Sequence, residues 1–160
     1  AYENMIKKFQ FSGLDNPSAY FSQDYRNFVL NHRGAFNELA DALLEKGEKE
    51  KAREVVLFSL EKMPNKSIPY DVSNARNVEM LFEVGEKEKA IELTNELGKQ
   101  MDEMAGYYLA KRDYGNNDLY NSVVVLGELQ RVLNKYGETE LAKKYEDAYQ
   151  KHANMMQGGK

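Results

Sequence analysis

Three places in the chain carry one short text. Gly47-Glu-Lys-Glu-Lys-Ala52 recurs letter for letter as Gly85-Glu-Lys-Glu-Lys-Ala90, and in looser form as Gly137-Glu-Thr-Glu-Leu-Ala142. The first two glycines stand 38 residues apart, a period that signals stacked helical hairpins. A glycine here can take the left-handed conformation that ends one helix, and the acidic residue after it suits the positive N-terminal end of the next. The alanine five positions on is small enough for two helices to approach closely.

Composition narrows the classes further. With 160 residues, 42% of them hydrophobic and 30% charged, the chain is long enough for one well-buried domain and short for two. A formal charge of −4 argues against a nucleic-acid surface, which needs a basic stripe to neutralise phosphates. The absence of cysteine excludes disulfides, zinc-thiolate sites and thiol chemistry, and leaves the compartment open. The longest apolar runs, Val55–Phe58 and Val123–Leu126, fall far below the roughly 18 residues of a spanning helix. A start at Ala1 without methionine or signal pattern suggests a fragment of something longer or a processed product.

Along the chain, residues 1–18 lack a sustained helical period and read as an extended arm; residues 19–157 read as one helical-repeat domain. From about Ser22 the positions Tyr25, Phe28, Val29, Phe36, Leu39, Ala40 and Leu43 form an apolar stripe up to Gly47, as one long helix or two collinear ones meeting near Gly34. A second helix turns Ala52, Val55, Val56, Ser59, Leu60 and Met63 inward, and Pro64 and Pro69 end it. Asp71 or Ser73 can cap the next, with Ala75, Val78, Leu81 and Phe82 inward. Its partner runs through Ala90, Leu93, Leu97 and Met101 to Tyr108. The third glycine comes 52 residues after the second, so about 14 extra residues lie around Leu109 to Tyr120, with Gly115-Asn-Asn-Asp118 as a turn signal. The last hairpin pairs Ser122–Tyr136 with Glu138–Met156.

Read relative to the glycine, the first copy resembles a tetratricopeptide motif: Phe36, Leu39, Ala40 and Leu43 on its first helix, then Gly47, Ala52, Val56, Ser59 and Pro64. The second copy lacks the closing proline, and in the third Gln130 stands at the small-residue position, which puts close packing of that hairpin in question. The expected fold is therefore all-α, a tetratricopeptide-like right-handed stack of about three antiparallel helix pairs with an N-terminal extended arm. The motif is a packing code and names no ligand.

A second resemblance spans most of the chain. Tyr2 through Leu14, then Asn31-His-Arg33, Ile68-Pro-Tyr-Asp71 and Tyr107-Tyr108, look like the soluble C-terminal tail of a bacterial family of multi-spanning membrane proteins similar to protein O-mannosyltransferases. The resemblance implies a tail on the periplasmic side of a cell envelope, joined to the membrane through a preceding portion that holds the catalytic machinery. It carries no catalytic residue onto these positions.

The chemistry-bearing residues point away from catalysis. His32 and His152 belong to no zinc-ligand spacing, and packing accounts for both more simply than acid–base work. Glu48, Glu50, Glu86 and Glu88 sit at helix starts beside lysines, where helix-end electrostatics explain them. Asn116-Asn117-Asp118 lacks the alternating ligands of a calcium loop, and Asn65-Lys66-Ser67 is a short glycosylation pattern in a loop. Neither an enzyme nor a cofactor or metal is expected.

What remains is binding. In stacked hairpins the first helix of each pair lines the concave side, so the residues ten, six and two before each glycine should face a groove: Asn37, Asp41 and Glu45; Ala75, Glu79 and Glu83; Gly127, Arg131 and Lys135. Such a groove is acidic over two hairpins and basic over the third, and suits a basic segment of a protein or peptide partner. Tyr107, Tyr108, Tyr114 and Tyr120 cluster around the insertion, where they either cover extra helix length or contact a partner. The first functional reading is a non-catalytic interaction or scaffolding module; the alternative is an accessory domain of a membrane glycosyltransferase, engaging its substrate through the tyrosines. Oligomeric state has no signature in the sequence.

Overall fold

The computed structural model describes residues 1–8, 14 and 22–158. All regular structure among them is helical: α1 (Tyr2–Lys7), α2 (Gln23–Glu45), α3 (Lys49–Lys62), α4 (Ser73–Glu83), α5 (Lys87–Ala110), α6 (Asn117–Lys135) and α7 (Thr139–Gly158). The all-α class is therefore correct. The chain divides into two compact units, Ala1–Lys87 and Glu88–Lys160.

The glycine turns close as their chemistry requires. Gly47, Gly85 and Gly137 have φ of 74°, 87° and 80°, and each turn makes the same two bonds. The glycine N–H reaches the carbonyl three residues back, and the following glutamate N–H reaches the one five back: Glu48 to Leu43 at 2.8 Å, Glu86 to Leu81 at 2.8 Å, Glu138 to Leu133 at 2.9 Å. These bonds satisfy carbonyls that a helix end otherwise leaves without partners. A fourth turn of identical pattern closes α5, with Arg112 at φ 56° and the Asp113 N–H on the Tyr108 carbonyl at 3.0 Å. No glycine marks it.

In unit 1, α2 starts at Ser22, whose hydroxyl accepts from the Tyr25 N–H at 3.4 Å, and runs unbroken through Gly34. It packs on α3 and α4. Val29, Phe36, Ala40 and Leu43 of α2, Ala52, Val55 and Val56 of α3, and Val78 and Leu81 of α4 are buried. Phe28, expected inward, is instead 46% exposed and stacks on His32 with ring centroids 3.9 Å apart. The extended-arm expectation fails at its start: residues 2–7 form α1, which packs against α3, with the Tyr2 hydroxyl donating to Glu54 and Lys51 over the Tyr2 ring. Leu14 is buried, and its carbonyl accepts from the Ser67 hydroxyl. The rest of the expected arm, residues 9–13 and 15–18, and Ala19 to Phe21 after it lie outside the described residues.

In unit 2, α6 and α7 form a hairpin around Leu126, Leu129, Leu133, Ala142 and Tyr145, and Leu93, Leu97 and Met101 of α5 are also buried. The question raised by Gln130 is answered by a different position. A Cβ added at Gly127 would stand 3.2 Å from the Tyr149 ring, so this glycine, one turn earlier, supplies the close approach. Gly98 does the same on α5, where any added side chain would overlap the Tyr145 ring.

Candidate partner-binding surfaces

Arg33 on α2 is 1% exposed and heavily hydrogen-bonded. Its guanidinium donates to the carbonyls of Met63 (3.0 Å), Ile68 (2.7 Å) and Pro69 (2.9 Å) and to the Asp71 carboxylate (2.8 Å). It also lies 5.2 Å from the Tyr70 ring centroid. The planar fork of arginine suits such a set of acceptors. Two of the segments that carried the second resemblance, Asn31–Arg33 and Ile68–Asp71, thus meet here. Asp71 accepts from the Ser73 N–H at 2.8 Å as well, and Val72, not Asp71 or Ser73, is the N-cap of α4. Asparagines continue the network: Asn37 donates to the Ser73 carbonyl (2.8 Å), Asn77 to Asn37 (2.6 Å) and Asn74 to Asn77 (3.1 Å). Buried polar groups need such partners, and together they fix the loop between α3 and α4 against α2.

That network removes Asn37 from the expected partner face, since it is 9% exposed and fully engaged inside. Asp41, Glu79 and Glu83 do gather on one side of unit 1, around Arg76. Arg76 bonds Asp41 across the α2–α4 contact, Glu79 at 3.0 Å and Glu83 at 3.2 Å. Burial works to lower the Arg76 pKa, but the bonds to Asp41 and Glu83 outweigh it and hold the guanidinium above its ordinary value. Glu79 is 7% exposed and so belongs to the base of this cluster, while Asp41 and Glu83 are partly exposed and Glu45, one turn beyond Asp41, is exposed. Arg131 and Lys135 lie on α6 in unit 2, where Arg131 pairs with Glu128 at 2.5 Å and Lys135 stands over the Tyr136 ring at 5.2 Å.

The four insertion tyrosines divide by role. Tyr108 packs on a small core of Ala105, Leu109, Leu119 and Val123 and donates to Asp118 at 3.2 Å. Tyr107 is 53% exposed, meets Tyr108 edge-on at 5.2 Å and carries Lys111 4.4 Å above its ring. Tyr114 and Tyr120 line a cavity of about 300 Å³ at the open end of the α6–α7 hairpin, together with Val123, Tyr149, Met156 and Gln157. Sequence reasoning missed Tyr149 and Met156 there, because they come from α7 and only the fold brings them beside the insertion.

The remaining polar candidates have structural partners. His32 Nδ1 lies 2.8 Å from the Phe28 carbonyl one turn back on α2. His152, 1% exposed, places Nε2 2.5 Å from Asp102 on α5. The Asn116 side chain caps α6 by accepting from the Asp118 N–H at 2.8 Å, and the Asn65 amide oxygen accepts from the Tyr70 N–H at 2.6 Å. Among the described residues no three His, Asp or Glu side chains are grouped to hold a metal ion, and no helix is long and apolar enough to cross a membrane. No protein-family model, curated protein or solved structure matches the chain.

Proposed function

We propose that this chain is a non-catalytic partner-binding module, built of tetratricopeptide-like helical hairpins and carried as the tail of a cell-envelope membrane protein, on the periplasmic side. The repeat reading is supported by the shared geometry of the turns at Gly47, Gly85 and Gly137. The partner is a protein segment rich in arginine or lysine, taken on the α2–α4 face.

One observation carries this choice of partner: Asp41, Glu79 and Glu83, from two helices, converge on the Arg76 guanidinium. Three carboxylates around one guanidinium sum to −2 for this group, and Glu45 extends it along α2. The internal Arg76 displays the chemistry that the face accepts. A partner's basic side chains would meet the exposed edges of Asp41, Glu45 and Glu83, in an encounter weakened by salt because exposed charges are screened.

The test is titration of a labelled arginine-rich peptide at low and at physiological salt. The triple variant Asp41→Asn, Glu45→Gln, Glu83→Gln should weaken binding about tenfold or more with the helical signal unchanged, and Glu79 is left intact because it is buried. Binding indifferent to both salt and the triple variant would refute the reading. Reproducible turnover of any substrate by the chain would refute its non-catalytic part.

A further inference from the structure

Unit 2 holds a site of different chemistry. The cavity at the open end of the α6–α7 hairpin is about 300 Å³, the low end of the range that ligands fill. Its floor is Val123 and Met156, continuous with the small core of Ala105, Leu109 and Leu119. Tyr120 and Val124 at its edge are 62% and 41% exposed.

Two properties define what would fill it. None of the lining residues is charged, so an ionic group entering it would lose its water and meet no counter-charge. Tyr114, Tyr120, Tyr149 and Gln157 also line the cavity and bring hydroxyl and amide groups to it. A bare hydrocarbon chain would cover these groups and leave them without partners. A peptide offers both parts: an uncharged side chain for the floor, and backbone N–H and C=O groups on either side for the hydroxyls and the amide.

We propose that this cavity is a second recognition point, which takes one uncharged aliphatic or aromatic anchor side chain of a peptide segment together with its flanking backbone. The inference rests on the partner-binding reading of the chain but not on its acidic face. Tyrosine and methionine around a charge-free centre are the composition of an interface core. Recognition here depends on burial and hydrogen bonding, so it is insensitive to salt, the opposite of the α2–α4 face.

The experiment follows ring and methyl NMR signals of the intact chain during titration with blocked peptides acetyl-Gly-Ser-X-Ser-Gly-amide, X being Leu, Phe, Lys or Glu. The Leu and Phe peptides should shift signals of Tyr120, Tyr149, Val123 and Met156. They should bind about tenfold or more tightly than the Lys and Glu peptides, equally at low and high salt. Tyr120→Ala, at an exposed position, should weaken them about tenfold with circular dichroism unchanged. Val124→Asp, which sets a charge at the edge, should act in the same direction. Binding of decanoate or of a neutral methyl glycoside in preference to the peptides, equal binding of the Lys peptide, or no shift at these residues would overturn the proposal. Because the triple variant of the acidic face leaves this cavity untouched, loss of basic-peptide binding and loss of Leu-peptide binding report separately on the two sites.

Discussion

Arg33 and Asp71, 38 residues apart in sequence, meet at 2.8 Å with the arginine side chain 1% exposed and the aspartate 23% exposed. The same guanidinium holds three carbonyls of the loop between α3 and α4, so one side chain ties that loop to α2. Truncation to Arg33→Ala would leave the Asp71 carboxylate without its charge partner and three carbonyls without this donor, at a cost of about 3–5 kcal/mol. Arg33→Lys should recover little of it, since an ammonium cannot reach four acceptors in fork geometry. Urea denaturation of both variants checks this, and near wild-type stability of either would show that the loop is held by other means.

Gly98 is the seat of Tyr145, whose hydroxyl donates to the Thr94 carbonyl at 3.2 Å. Gly98→Ala should destabilise by about 1–3 kcal/mol despite the better helix propensity of alanine, because the ring must move. In the double variant with Tyr145→Leu the alanine penalty should shrink; strictly additive effects would separate the two positions.

Two backbone positions should respond the other way. Gly34 lies inside α2 with open space where a side chain would stand, so Gly34→Ala should stabilise by about 0.5–1 kcal/mol. Arg112 occupies the left-handed conformation that glycines hold in the other three turns, and Arg112→Gly should relieve strain by about 1 kcal/mol. Thermal melts that fall for either variant would contradict the assigned geometry.

Ala52 is fully buried on α3, which packs against α2. Ala52→Leu should overpack this contact and cost about 1–3 kcal/mol, read as a lowered denaturation midpoint with an unchanged slope.

Tyr145 also gives a pH signature. Burial first, and then the Asp102 charge, push its pKa from 10.0 up to about 12. The folded chain therefore keeps this proton where the unfolded chain loses it. Its stabilising contribution is whole below pH 10 and declines as pH rises through 10 toward 12, by at most about 3 kcal/mol. Tyr145→Phe lacks this decline, so the stability difference between wild type and variant should shift in favour of phenylalanine above pH 10. A difference independent of pH from 8 to 11.5 would refute the assignment.

Helices and their ends were legible in the sequence because their causes are local. A glycine cap joins groups no more than five residues apart, and an apolar stripe needs only the 3.6-residue period. Gly47, Gly85, Gly137 and most of the apolar buried positions of α2 and α3 follow from the text alone, whereas exposed Phe28 and buried Arg33 do not. The turn at Arg112 closes with the same bonds but without glycine, so composition gave it no mark. For the candidate surfaces, counting back from each glycine names Asp41, Glu79 and Glu83, which all bond Arg76. That count could not tell that Asn37 points into a polar network, or that Glu79 is covered. In unit 1 those outcomes depend on Arg33 meeting Asp71 and Arg76 meeting Asp41, and in unit 2 the cavity depends on Tyr149 and Met156 arriving beside the insertion. Each joins residues some 30 to 40 positions apart, and their separation in the chain carries no periodic signal. Local hydrogen bonding and periodicity determined the elements; burial, which is a property of the packed whole, decided which polar residues hold the fold and which are left to meet a partner.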